Sequence, residues 1–131
     1  DLHRAGLTVG LGSSAPPENV WLSLDLLGCR ERFAAVVTGE DVTCGKPDPE
    51  VFLRCAERLG VHADSCVVIE DAPAGVAAAR AAGMPCVGVA SRGRTRDELA
   101  AADQVVDGLR ELSSDSLQRV IGKEGGGREQ A

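Results

Sequence analysis

The stretch Cys66-Val67-Val68-Ile69-Glu70-Asp71-Ala72-Pro73-Ala74-Gly75-Val76 decides how the chain is read. A short apolar, β-branched run ends on two adjacent carboxylates. A Pro/Gly turn and an Ala-rich helical pattern follow at once. This order predicts a buried parallel strand, a charged tip and a helix start. Ligands of open α/β sheets bind just beyond the carboxyl ends of such strands. Two carboxylates there, with no basic neighbour in sequence, suit a hard divalent cation held by oxygen ligands. The plain alternative is that Glu70 and Asp71 only supply negative charge to the N-terminus of the next helix. Spacing alone leaves both open.

The 131 residues suffice for one domain with one core. The chain is 44% hydrophobic, and rings come only from Trp21, Phe33 and Phe52, so the core must be aliphatic. Stacking on bases is not expected. A formal net charge of −6 argues against nucleic acid and anionic membrane surfaces. No apolar run approaches the roughly 20 residues of a membrane span, and no signal-like segment opens the chain. Five cysteines, none in CxxC spacing, read as free thiols of a reducing cytoplasm rather than a disulfide framework.

Outward from the central stretch, strands and helices alternate. Asp1 to Gly6 reads as a last helical turn, and Leu7 to Gly12 as a strand running into Ser13-Ser14-Ala15-Pro16-Pro17. Hydroxyls between a strand and a helix start can build an anion site, or simply cap the helix. Glu18 to Leu27 is a helix with Val20, Trp21, Leu24 and Leu27 on one face, and Phe33 to Val37 a strand. Lys46 lies between Cys44-Gly45 and Pro47-Asp48-Pro49, on a loop stiffened by proline. A helix with Val51, Phe52, Cys55, Ala56 and Leu59 inward follows and stops at Gly60. Then come the Ala74–Ala82 helix, the Pro85–Ala90 strand, a short helix over 96–102, a strand at 104–106 and a helix over 114–121. Residues 1–121 are expected to form a partial α/β core domain with a parallel sheet, and the polar residues 122–131 a disordered tail. Arg92, Arg94 and Arg96 follow a strand, where they could face an anion or simply be an exposed basic loop.

Three features now stand in one order: hydroxyls at Ser13-Ser14, a braced Lys46, and the acid pair Glu70-Asp71. Phosphoryl transfer uses such groups, namely donors and a cation for phosphate oxygens, and carboxylates for magnesium. Each has a bland counterpart in a helix cap, a solvated lysine and a charged helix start.

On these motifs the chain resembles the haloacid dehalogenase superfamily of phosphotransferases, in its branch of β-phosphoglucomutases, phosphoglycolate phosphatases and sugar-phosphate phosphatases. The matching text runs from Val9 to Ser14, Phe33 to Val42, Gly45 to Phe52 and Cys66 to Gly83. The resemblance implies a Rossmann-like core and Mg²⁺ as cofactor. It implies that Ser13 binds the transferring phosphoryl group, helped by the Ser14 backbone N–H. Lys46 would bridge that group and a nucleophilic carboxylate. Asp71 would ligate magnesium, with Glu70 beside it as direct or water-mediated ligand. The substrate would be a small phosphorylated metabolite such as a sugar phosphate.

The resemblance also implies an Asp-x-Asp nucleophile on a central first strand, and a helical cap. Neither is found in residues 1–131. Expected consequences are unpaired edges on the Leu7–Gly12 and Cys66–Glu70 strands, no turnover by this chain alone, and a need for another segment or chain to supply the central strand. Competing readings are a non-catalytic phosphate- and magnesium-binding module and a fragment with no site. A receiver-type signalling domain fits poorly, because its acidic residues precede its hydroxyl and lysine.

Overall fold

A computed structural model describes every residue except Asp1, His3, Arg4, those at 91–94 and Ala131, with side chains at 123–130 also outside the description. Among the described residues five short strands and four helices follow one another in α/β order, the last two strands having a 3-10 turn rather than a helix between them. Strand β1 (Gly10–Gly12) pairs in parallel with β2 (Ala35–Val37), Leu11 opposite Val36. Strands β3 (Val68–Glu70), β4 (Cys86–Val89) and β5 (Gln104–Val106) form a second parallel sheet in that order. Among the described residues the two sheets do not pair with each other, so β1 and β3 are both edges.

Helix α2 (Glu50–Leu59) presents Val51, Phe52, Cys55 and Ala56 inward, as its periodicity requires. Together with α3 (Pro73–Ala81) it covers one face of the strands, around Val37, Val76, Cys86 and Leu99. Helix α4 (Ser114–Gln130) contributes Leu117 to the cluster on the other face, with Val87, Val89 and Val106. The layers are therefore helix, strands, helix, the Rossmann-like arrangement. Close approach of α2 to β1 depends on glycine: a Cβ at Gly10 would stand 2.6 Å from Cys55 Sγ.

Several boundaries differ from the sequence reading. The Leu7–Gly12 and Cys66–Glu70 strands shorten to three residues each, because each has a ladder partner on one side only. Helix α1 spans Pro17–Leu27, but Leu27 is 76% exposed; Val20 and Leu24 alone are buried. Trp21 instead carries the Arg30 guanidinium 4.4 Å above its ring. The helix expected over 96–102 is one 3-10 turn, Asp97–Leu99, anchored by the fully buried Leu99. The last helix runs past Ile121 to Gln130, since no proline interrupts its backbone ladder. The turn expected at 1–6 is described only in part, at Leu2, Ala5 and Gly6.

Candidate active site

The carboxyl ends of β1 and β3 and the loop before α2 meet at one corner. Ser13 follows β1 directly and is tied to the sheet by its N–H, which donates to the Val37 carbonyl at 2.9 Å. Its hydroxyl oxygen accepts the Ala15 N–H at 3.1 Å. Neither serine caps α1; the residue before that helix is Pro16, with no side-chain cap. Ser14 is exposed, and its hydroxyl oxygen accepts the Lys46 backbone N–H at 3.3 Å, fixing the lysine loop to the serine turn.

The lysine loop is held from its other side by acids. Glu50 accepts the N–H groups of Thr43 and Cys44, and its own N–H donates to Asp48. The Cys44 N–H leads the interactions that hold the Glu50 carboxyl below the ordinary carboxylate value, and the Arg54 side chain adds to them. The loop therefore presents Lys46 from a fixed base, as its prolines suggest.

Lys46 Nζ donates to Glu70 Oε2 at 2.9 Å and to the Gly12 carbonyl at 3.3 Å. It also lies 5.0 Å above the centre of the Phe52 ring. The lysine and glutamate side chains are only 19% and 11% exposed, so the pair is largely withdrawn from water. Glu70 is further constrained by α3: a side chain on Gly75 would occupy the space of its carboxylate. Glu70 Oε1 accepts the Asp71 N–H at 3.1 Å. Asp71 itself is exposed.

The corner thus joins Ser13, Ser14, Lys46 and Glu70 through direct hydrogen bonds or chain adjacency, with the Asp71 carboxylate open beside them. Glu70 and Asp71 offer two hard oxygen donors. Among the described residues no group of three or more acidic, His or Cys side chains is placed to hold a metal. Two carboxylates still fit magnesium, which keeps several waters and takes its remaining oxygens from substrate phosphate. Arg96, a candidate for an anionic substrate, is committed instead to Asp107 and the Val105 carbonyl. Arg92 and Arg94 lie outside the described residues.

Sequence reasoning missed three contributors. Phe52 was legible as a core residue but not as the floor under Lys46. Glu50, the clamp of the loop, carried no reading of its own in the sequence. Gly75 looked like part of a helix start, whereas its missing side chain is the seat of Glu70. Burial pushes the Cys86 thiol up to about 12, and all five cysteines are free. No helix among the described residues is long and apolar enough to cross a membrane.

A model of haloacid dehalogenase-like hydrolases matches residues 1–83. Fructose-1-phosphate phosphatase YqaB of Escherichia coli (strain K12) is 46% identical over 86 residues, which are 66% of this chain and 45% of that protein. Validoxylamine A 7'-phosphate phosphatase of Streptomyces hygroscopicus subsp. limoneus is 34% identical over 111 residues, 85% of this chain and 52% of that protein. The crystal structure of β-phosphoglucomutase from Clostridium difficile superposes with a TM-score of 0.83 at 31% identity, covering 94% of this chain and 52% of that one. The chain spans about half the length of these curated relatives. With more than half of its residues under the family model, and with strands, lysine loop and acid pair in the expected order, the chain belongs to the haloacid dehalogenase-like hydrolases.

Proposed function

We propose that this corner is the phosphoryl-binding half of a magnesium-dependent phosphatase or phosphomutase acting on small phosphorylated metabolites, sugar phosphates foremost. The observation that carries the proposal is the position of Lys46 Nζ, 2.9 Å from Glu70 and 3.3 Å from the end of β1. A cation fixed there, beside a serine turn with an exposed face, is suited to the equatorial oxygens of a phosphoryl group in transfer. Ser13 and the Ser14 N–H would donate to those oxygens. Asp71, with Glu70 direct or through water, would hold Mg²⁺, whose charge would offset that of the phosphate. The relatives named for fructose 1-phosphate and for validoxylamine A 7'-phosphate support the substrate class.

Residues 1–131 contain no Asp-x-Asp motif. The attacking carboxylate would therefore come from a segment outside them, and this chain alone would bind phosphate without turning it over. Free thiols are compatible with a cytoplasmic setting.

Isothermal titration with inorganic phosphate in the presence of MgCl₂ tests the reading. The expected result is saturable binding that weakens at least about tenfold in Lys46→Ala, the loss of roughly one charge-assisted hydrogen bond. Absence of phosphate binding by the unsubstituted chain would overturn it. Hydrolysis of p-nitrophenyl phosphate by the 131-residue chain, lost in Lys46→Ala, would instead overturn the need for an outside nucleophile.

A further inference from the structure

The serine turn is held from outside itself. The Ser13 N–H donates to the Val37 carbonyl at 2.9 Å, and the Ala15 carbonyl accepts the Gly39 N–H at 2.7 Å. Both partners lie at the end of β2 or just beyond it. Gly39 presses close against the turn: a Cβ there would stand 2.5 Å from the Ser14 carbonyl oxygen and 2.9 Å from that of Ala15. Those are main-chain atoms, which cannot swing aside as the tip of a side chain can. Glycine is required at this position by the approach of two backbones, since its φ is not among the positive ones.

Gly39 is itself placed by a network that lies apart from Lys46 and Glu70. Residues Gly39–Asp41 form a 3-10 turn. Asp41 Oδ2 accepts the Thr38 N–H at 2.8 Å and the Thr38 hydroxyl at 3.2 Å, and the Asp41 N–H returns to the Thr38 carbonyl at 3.0 Å. Thr38 is buried, so the Asp41 carboxylate answers its hydroxyl in place of water. Arg58 of α2 closes the other side. Its Nη2 lies 3.1 Å from Asp41 Oδ1, and its Nη1 donates to the Val36 carbonyl of β2 at 2.6 Å. The Thr38 N–H, with Arg58 behind it, holds the Asp41 carboxyl below the ordinary carboxylate value. Asp41 therefore ties together α2, the end of β2 and the peptide that carries Gly39.

We propose that Asp41 is a positioning residue for phosphate binding: through Thr38 and Gly39 it sets where the Ser13–Ala15 turn stands opposite Lys46. Asp41 touches no phosphate. Its carboxylate fixes Thr38, Gly39 passes that position to the Ala15 carbonyl, and the Ser14 N–H is thereby aimed at the anion site. The two halves of the site are then fixed separately, the lysine loop by Glu50 and the serine turn by Asp41. The inference rests on the phosphoryl-binding reading and deepens it. Loss of Asp41 frees the buried Thr38 N–H and hydroxyl to seek other partners, and the turn shifts with them. Small displacements of binding groups carry large costs when several must meet one ligand.

The test is titration of the 131-residue chain with inorganic phosphate in MgCl₂, read by calorimetry and by ¹⁵N–¹H spectra. Asp41→Ala should move the Ser14 and Ala15 amide signals before phosphate is added, and should weaken binding at least about fivefold, part of one hydrogen bond to a charged group. Asp41→Asn keeps an oxygen for the Thr38 donors and should restore affinity to within about twofold. Gly39→Ala disturbs the turn without touching Asp41 and should weaken binding at least about fivefold; it carries the test if Asp41→Ala does not fold. Leu99→Ala, a core substitution remote from the turn, should leave affinity unchanged at a temperature where it is folded. Wild-type affinity in Asp41→Ala or in Gly39→Ala, unmoved Ser14 and Ala15 signals in Asp41→Ala, or an equal loss in Asp41→Asn would overturn the inference. So would an equal loss in Leu99→Ala, because the effect would then be general destabilisation. Binding that falls in Lys46→Ala but not in Asp41→Ala overturns this inference and leaves the corner's function standing; no binding by the unsubstituted chain overturns both.

Discussion

The polar corner and an apolar slot, the cavity of about 410 Å³ between the edges of β1 and β3, share those two strands, yet one is closed and the other open. At the corner each charged group near the core has an answer: Lys46 meets Glu70, the Gly12 carbonyl and the Phe52 ring. Among the described residues no buried side-chain polar atom lacks a partner. In the slot, along the same strands, no strand pairs with either edge among the described residues, and Ile69 remains 40% exposed. Local sequence can complete a corner made of side chains, because loops bring those side chains in. A strand edge is different, because its backbone groups are answered only by another ladder or by solvent. The contrast separates residues whose contacts are closed from residues that stand at unpaired strand edges, and substitutions should divide along the same line.

The largest effect belongs to the finished core. Leu99 is fully buried against the α3 side of β4, close to Gly88. Leu99→Ala removes methylene and methyl groups where the surroundings cannot close up. It should cost about 2–5 kcal/mol, read as a lowered urea midpoint with little change in slope. A cost under about 1 kcal/mol would show that this half of the molecule is as loosely filled as the slot.

Next comes the seat of Glu70. Gly75→Ala places a methyl group where the Glu70 side chain lies, so the carboxylate must leave Lys46. The expected cost is about 1–3 kcal/mol, the range for overpacking. The cycle partner makes the claim specific. In a Glu70→Ala background the same Gly75→Ala change should be neutral or stabilising, because alanine favours a helix over glycine by up to about 1 kcal/mol. Equal destabilisation in both backgrounds would mean that Gly75 serves α3 packing and not the ion pair.

How much of this was legible in the sequence differs by region, for a physical reason. The layered α/β fold and the order of its elements follow from β-branched runs, helical periodicity and glycine stops, all local signals. The meeting of Ser13, Lys46 and Glu70 was legible because each follows a strand end or a braced loop, and parallel strands deliver their carboxyl ends to one edge. The roles of Phe52 under Lys46 and Gly75 under Glu70 were not, since each depends on a distance between elements far apart in the chain. Leu27 was misplaced because helical spacing gives a face but not its extent: the core ends one turn earlier, at Leu24. The slot was foreseen only through family resemblance. No local pattern announces that β1 and β3 will both be left as edges.

The smallest effect sharpens the comparison most. Ile69 is the apolar residue of β3 whose backbone faces the slot, and it keeps 40% of its surface exposed, against 8% for Val68 beside it. Val68 packs into the α2–α3 cluster, so its neighbour projects to the opposite face, on the side of α4. Threonine keeps the β-branched shape and the strand preference of isoleucine while removing apolar surface that is only partly withdrawn from water. Ile69→Thr should therefore change the stability of the chain by no more than about 0.5 kcal/mol in thermal or urea unfolding, the usual range for exposed positions. A loss of 2 kcal/mol or more, on the order of a buried large-to-small change, would place Ile69 in the finished core. The slot would then be a closed part of this molecule, and the division between corner and edge would fail.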